Sequence, residues 1–398
     1  MPKRVAAVVT VYTKNSHADV IIQQALNGYP PDGKERPDFQ IVSVYTDQVP
    51  AGTRADLSRD LAKKHGFRIS PSIADALTLG GKGLAVDGVL SIGEHGDYKD
   101  NELGQKLYPR RRFFEEITKV FEATGMVVPV FNDKHLSTNW DDAKWMYDRA
   151  RKLMFPFLAG SSLPVTYRKP DLTLPKDCEL TAAVQLGYGG PESYGFHAVE
   201  SLQCMVERRK GGETGVKAVT AFFGKGIWDR IDRDPAAKAT LDAAAAMVTD
   251  HAPGNIRTGS RAESWLMEIE YLDGLKGFVA MPSGWIRDGD GSGFTFAAQV
   301  KGEAKPSATS FYLQPRGDQF PHFSQLVKAF DAMLRTGHAP YPVERTLLTT
   351  GVLAAAMQSR FKKGERIETP HLAIAYKPRE WPHGGAVPEW AIEASKKK

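Results

Sequence analysis

Four short apolar runs rich in β-branched residues occur early in the chain, RVAAVVTVY (4–12), FQIVSVYTD (39–47), VDGVLSIG (86–93) and MVVPVFND (126–133), and a fifth apolar run, FPFLAGSS (155–162), follows. They alternate with segments of helical period, among them HADVIIQQALNG (17–28), ADLSRDLAKKHG (55–66), SIADALTLG (72–80), RRRFFEEITKVFEATG (110–125) and NWDDAKWMYDRARKL (139–153). Strands that are apolar on both faces must be covered on both faces, and helical crossovers between them make them parallel. The first part of the chain is therefore expected to form a doubly wound parallel sheet. Ligands of such sheets lie beyond the carboxyl ends of the strands, which places Tyr12, Asp47, Glu94 and Asn132 around one crevice.

The first strand-to-helix turn is unusual. Where this kind of sheet binds a dinucleotide, glycines in that turn let the backbone approach the pyrophosphate, yet there is no glycine between Val9 and Asn27. Thr10, Tyr12, Thr13, Lys14, Asn15, Ser16 and His17 fill the turn instead. Backbone N–H groups at the helix start, with the side chains of Thr13, Asn15 and Ser16 and the charge of Lys14, can still hold a phosphate. The bulk of Tyr12 and His17 can equally occupy its place, and the sequence leaves both outcomes open.

Beyond residue 164 the texture changes to longer strand-like stretches: LTAAVQLGYG (180–189), GVKAVTAFFG (215–224), SWLMEIEYLDGLKGFVAMPSG (264–284), GFTFAAQV (293–300) and ATSFYLQP (308–315). These predict a mostly antiparallel sheet. Helices are expected at 195–212, at 234–250 with Asp234 as N-cap and Pro235 in the first turn, at 322–337 and at 344–364.

Composition narrows the function classes. The chain has 398 residues, 42% apolar and 25% charged, and its net charge of +5 comes from 52 basic against 47 acidic residues spread along it. A nucleic-acid surface needs clustered basic residues with aromatic platforms, so no nucleic-acid partner is expected. Arg110, Arg111 and Arg112 form the one tight basic cluster and read as a solvated face, or as a site for an anion or a subunit contact. Two cysteines, Cys178 and Cys204, are too few for a metal knuckle and read as buried free thiols. No run of about 18 apolar residues is present, so no membrane partner is expected, and the reading is a cytoplasmic protein.

Several motifs together resemble the Gfo/Idh/MocA family of sugar and polyol oxidoreductases: VFNDKHLS (130–137), FLAGSS (157–162), GYGGPESYGFHAVESL (187–202) and PYPVERTLLTTGVLAAAMQSRFKKGERI (340–367). The family's Glu-Lys-Pro triplet corresponds to Asp133, Lys134 and His135, which keeps the lysine. Its Asp-x3-His corresponds to Ser193 and His197, which keeps the histidine. The resemblance implies a Rossmann-like dinucleotide-binding domain at 1–160, an α+β domain with an open-faced antiparallel sheet at 161–375 and a tail at 376–398. It implies hydride transfer between a nicotinamide cofactor and a carbohydrate-like small molecule, in a homo-oligomer; Asp47, an acid that repels a 2′-phosphate, favours NAD over NADP.

The residues carry chemistry of their own. Lys134, at a strand end, can hydrogen-bond a substrate hydroxyl and polarise its oxygen, or be a surface lysine. His197 is a candidate acid or base, or a core histidine, and Tyr194 lies on nearly the same helix face. Asp47 can accept ribose hydroxyls, or simply form a turn. IGEHGDY (92–98) brings Glu94, His95 and Asp97 to a strand end, near Asp133 and His135. Their spacing matches no metal motif, so no metal is expected and cofactor or substrate contacts are the leading reading. Catalysis is thus expected from Lys134, His197 and Tyr194, and cofactor contacts from Thr10, Tyr12, Asn15, Ser16, His17, Asp47, Glu94, His95 and Asp133. The rival readings are a redox-neutral glycoside hydrolase or lyase using Glu94, Asp97 and Asp133, and a degenerate sugar- or nucleotide-binding protein.

Overall fold

The structure is a computed structural model that describes residues 1–287, 289–313 and 320–396. It divides into two units, Met1–Ser161 with Asp318–Val343, and Ser162–Gly317 with Glu344–Lys398.

In the first unit, β1 (Lys3–Val9), α1 (His17–Asn27), β2 (Phe39–Thr46), α2 (Ser58–His65), β3 (Arg68–Ile69), α3 (Ile73–Thr78), β4 (Gly88–Ile92), α4 (Arg110–Thr124), β5 (Val130–Asp133), α5 (Trp140–Leu153) and β6 (Phe157–Gly160) follow in turn. The six strands pair in parallel in the order β3-β2-β1-β4-β5-β6. This is the doubly wound arrangement the alternation predicted, with its switch point between β1 and β4. Val5 to Val9 and Val89 to Ile92 are all buried, as strands covered on both faces require. The two-residue β3 had no sequence signal of its own.

In the second unit come β7 (Arg168–Lys169), β8 (Leu180–Leu186), α6 (Ser193–Val206), β9 (Val216–Phe223), α7 (Lys225–Asp232), α8 (Pro235–Ala246), α9 (Ile256–Gly259), β10 (Trp265–Tyr271), β11 (Lys276–Met281), β12 (Phe294–Val300) and β13 (Ser307–Phe311). The helix α10 (Pro321–Thr336) follows in the chain but belongs to the first unit; α11 (Glu344–Phe361), β14 (Ile367–Glu368) and α12 (Glu389–Lys396) complete the second. The second sheet runs β14-β9-β10-β11-β8-β12-β13-β7, antiparallel except where β11 lies parallel to β8. The long stretch 264–284 is a hairpin, β10 and β11, turned at Asp273 and Gly274. Asp234 caps α8 as expected, accepting from the Ala236 and Ala237 N–H groups. The end of the expected strand 308–315, at Gln314 and Pro315, lies outside the described residues, as do Lys397 and Lys398 of the terminal basic run.

Helix α10 interrupts the span 161–375 that the sequence reading treated as continuous. Its buried face, with Phe323, Leu326, Val327, Phe330 and Met333, packs in the first unit; Phe330 meets Phe39 at 5.4 Å and Phe131 at 6.3 Å between ring centres. Each such side chain removed from water stabilises by about 1.5–3 kcal/mol. Polar links fix its register: Ser324 Oγ donates to Gln24 Oε1 at 2.9 Å, and the Asp38 N–H to Asp331 Oδ1 at 3.0 Å.

Candidate active site

The strand ends of the first unit converge on a buried set of charges. Glu94, just past β4, is 6% exposed, Lys134, just past β5, is 3%, and Arg110, at the start of α4, is 2%. Arg110 Nη2 donates to Glu94 Oε2 at 2.5 Å, and Lys134 Nζ stands 3.9 Å from Glu94 Oε1. Burial alone would raise the Glu94 carboxyl, but Lys134 and Arg110 overcome it and hold it down at about 2. Glu94 is thus a fixed anion between two cations. The arginine reaches it because residue 93 is glycine: a Cβ there would lie 2.6 Å from Arg110 Cγ.

Arg110 corrects the sequence reading. Of the three arginines it is neither solvated nor available, and its Nη1 also lies 3.2 Å from His135 Nε2. Arg111 lies over the Trp145 ring at 3.1 Å and pairs with Glu115. Arg112 is part exposed and pairs with Asp47 and Glu116. No signal in the triplet distinguishes the first from the others; its place at the amino end of α4, facing the end of β4, does so.

A second pair lies alongside. His17, the first residue of α1, approaches Asp133 with Nδ1 2.6 Å from Oδ2, and Asp133 is 1% exposed. The His17 ring packs 5.0 Å from Phe323 and 5.2 Å from His95. Its backbone N–H donates to His95 Nδ1 at 3.3 Å, which requires an unprotonated nitrogen there. Burial, with the charge of His17, pulls His95 down to about 4, so it is neutral at pH 7.

This contact answers the question of the glycine-free turn. Ser16 caps α1 and accepts from the Asp19 N–H at 3.3 Å and the Thr13 N–H at 3.2 Å, while the Asn15 N–H goes to Asp19 Oδ2 at 2.9 Å. Thr10 Oγ1 donates to the Glu94 carbonyl at 2.6 Å. Tyr12 is fully buried in the turn, and its hydroxyl has no partner among the described residues. The N–H groups of Thr13, Asn15, His17 and Asp19 are therefore occupied by the chain's own side chains. Asn15, His95 and Lys134 all have positive φ, at 61°, 69° and 70°, a conformation that costs non-glycine residues about 1 kcal/mol or more and concentrates at functional sites.

Asp47, at the end of β2, is equally engaged. Tyr45 donates to its Oδ1 at 2.9 Å, Tyr98 to its Oδ2 at 2.7 Å, and Arg112 pairs with it. Burial works the other way, but these donors hold its carboxyl below the usual range. A ribose would have to exchange with one of them. Glu94, His95, Asp97, Asp133 and His135 do not come together as a metal-binding group among the described residues, and no helix among them is long and apolar enough to cross a membrane.

In the second unit, Tyr194 and His197 stand one turn apart on α6, with ring centres 6.1 Å apart and Phe294 at 6.2 Å from each. His197 is partly buried and Tyr194 is 39% exposed. The preceding loop is shaped around the tyrosine: Gly189 has φ +83°, and a Cβ there would fall 2.6 Å from the Tyr194 ring.

No family model and no curated sequence matches the chain, but solved structures do over nearly its whole length. GenD2 from gentamicin A biosynthesis, solved in complex with NAD, is 14% identical with a TM-score of 0.53, covering 92% of this chain and 97% of its own. Myo-inositol dehydrogenase from Lactobacillus casei, solved with NAD(H) and myo-inositol, is 11% identical with a TM-score of 0.56, over 92% and 97%. Myo-inositol 2-dehydrogenase from Lactobacillus plantarum is 10% identical with a TM-score of 0.55, over 92% and 100%. The chain shares the fold of these dehydrogenases. The resemblance read from the motifs thus predicted the architecture at a level of identity where sequences scarcely align.

Proposed function

We propose that this protein is an oxidoreductase that transfers hydride between NAD(H) and a CH–OH group of a sugar- or cyclitol-like molecule. The observation that carries the reading is Lys134: a buried lysine at the carboxyl end of β5, held beside the fixed anion Glu94. The likeness in fold to dehydrogenases solved with NAD(H) supports the cofactor class.

The residues present fit a dinucleotide in part as they stand. The switch point, the amino end of α1 and an acid after β2 are where this fold places one, and the orphaned, buried Tyr12 hydroxyl and Asn132 Oδ1 are polar atoms a ligand can satisfy. The phosphate end fits once His95 releases the His17 N–H. Thr10, Asn15, Ser16 and Asp47 would then line the cofactor with Glu94 and Asp133 behind them. Bound there, a nicotinamide supplies a hydride acceptor or donor. Lys134 donates a hydrogen bond to the substrate oxygen and stabilises negative charge developing on it, while Glu94 keeps the ammonium oriented. Tyr194 and His197 keep their proposed roles, orienting a hydroxyl and exchanging its proton.

The redox-neutral alternative is weakened by Glu94. A glycosidase acid needs a raised pKa, whereas this carboxyl sits at about 2 with an arginine on one oxygen. The test is turnover of NAD with a panel of inositols and aldoses, with extraction of any co-purifying nucleotide. Lys134→Met should lower kcat by roughly 10² while leaving NAD binding intact. Failure of NAD to bind, or full activity in Lys134→Met, overturns the proposal.

A further inference from the structure

The second unit contains a cavity of about 470 Å³ whose wall carries four arginines against three carboxylates. Most of these charges are matched. Arg345 makes a two-pronged bond with Glu207, at 2.9 and 2.5 Å, and Arg208 reaches Glu380 at 3.1 Å. Asp171 lies 3.1 Å from the His383 ring, a hydrogen-bonding contact rather than a charge pair, because that imidazole is neutral.

Arg168 is the exception. It is 5% exposed, and among the described residues no carboxylate lies within ion-pairing distance of its guanidinium. Its Nη1 donates to the Leu172 carbonyl at 2.7 Å and its Nη2 to the Pro164 carbonyl at 3.3 Å, while its Nε is buried without a partner among the described residues. The Cys204 sulfur, 3.9 Å away, supplies no charge, because burial pushes that thiol up to about 11. His383 is neutral as well, pulled down to about 4 by burial and by Arg168. A guanidinium does not give up its proton at ordinary pH; Asp171 acts on it only from beyond ion-pairing distance and the Phe311 ring lies 5.2 Å from it, so this buried cation has no direct ion-pair partner and its burial costs several kcal/mol. A bound anion would offset that cost.

We infer that this cavity binds a small organic oxyanion, a carboxylate or a phosphate ester, with Arg168 as the principal counter-ion and Arg208 beside it. The guanidinium fork suits the planar or tetrahedral oxygens of either group. The volume falls within the range of small-molecule sites, and Trp381 at the wall offers an aromatic surface to the body of the ligand. Arg208 can join readily, since Glu380 is 65% exposed and such surface pairs contribute little. The inference does not rest on the dinucleotide reading.

The probes are inorganic phosphate and succinate, titrated into the full chain at constant ionic strength and followed by calorimetry and by tryptophan fluorescence. Saturable binding of one or both is expected, in the millimolar range or tighter. Preference for one probe assigns the ligand as phosphate ester or as carboxylate. Arg168→Gln should weaken that binding at least about tenfold and leave any NAD binding unchanged. Should Arg168→Gln fail to fold, Arg208→Gln decides, with a several-fold loss expected, and Trp381→Phe should remove the fluorescence response. No saturable binding of either anion overturns the inference. So does binding that a folded Arg168→Gln protein retains in full, or that Arg208→Gln retains in full when Arg168→Gln does not fold.

Discussion

Removing Arg110 tests whether the charges at the end of the first sheet act as a unit. Arg110→Met keeps an unbranched chain of apolar volume but takes the guanidinium from Glu94, which is 6% exposed and receives a 2.5 Å hydrogen bond from it. Breaking a buried ion pair on one side costs about 3–5 kcal/mol, because the other charge is left buried. Here Lys134 remains, 3.9 Å from the other carboxylate oxygen, so the expected loss is at the low end, about 3 kcal/mol. For a unit of this size that lowers Tm by roughly 6–12 °C. Urea unfolding and calorimetry of the full chain measure it, with Glu94→Gln and the double variant completing a cycle. The double variant should lose clearly less than the two single losses added together, since both single changes break the same Arg110–Glu94 bond. If Arg110→Met stays within about 0.5 kcal/mol of the wild type, the pair is solvated and the reasoning fails.

Two further outcomes follow from buried groups in the same unit. Burial holds His95 at about 4 and His322 at about 3; both folded values lie below the unfolded one, so the stability they contribute is complete above pH 6.5 and is lost as pH falls through 6.5 toward 4, by up to about 3 kcal/mol each. Urea midpoints at pH 7, 5 and 4 should fall accordingly, and His322→Leu should flatten that decline; a midpoint independent of pH in this window counts against neutral burial. Tyr12→Phe removes a buried hydroxyl that has no partner and should leave the free protein unchanged or about 1 kcal/mol more stable, while reducing the thermal shift produced by NAD; a clear destabilisation of the free protein would show that the hydroxyl is bonded after all.

What was legible in the sequence was what the backbone period encodes. Strands buried on both faces had to be near-continuous apolar runs, and Val5 to Val9 are such a run, so the parallel sheet could be read directly. Asp234 and Pro235 announced the start of α8 because capping is local. What escaped depends on contacts far apart in sequence. Helix α10 has an ordinary amphipathic pattern, and nothing within it says that Phe330 will meet Phe39 rather than the sheet that precedes it. Arg110 looked like its two neighbours, because its burial is decided by Gly93 and Glu94, in the loop just past β4. Asp47 was recognised as a strand-end acid, but its three donors come from Tyr45, Tyr98 and Arg112, two of them more than fifty residues away.

The turn after β1 shows how an absence of glycine is compensated. Glycines would leave the α1 amino end open to a phosphate; here His95, at φ +69°, turns its imidazole back to accept the His17 N–H. The imidazole thus stands in for the anion, and a dinucleotide must displace it before its phosphates reach that amide. His95→Gly removes the competitor and suits the left-handed backbone, where a histidine costs about 1 kcal/mol. Releasing one backbone hydrogen bond of about 1 kcal/mol to the ligand predicts NAD affinity higher by roughly five- to tenfold, with little change in the stability of the free protein. Calorimetric titration of NAD into both proteins measures this. If His95 instead holds the cofactor directly, the same variant binds NAD more weakly, and the self-capped turn is not what keeps the site closed.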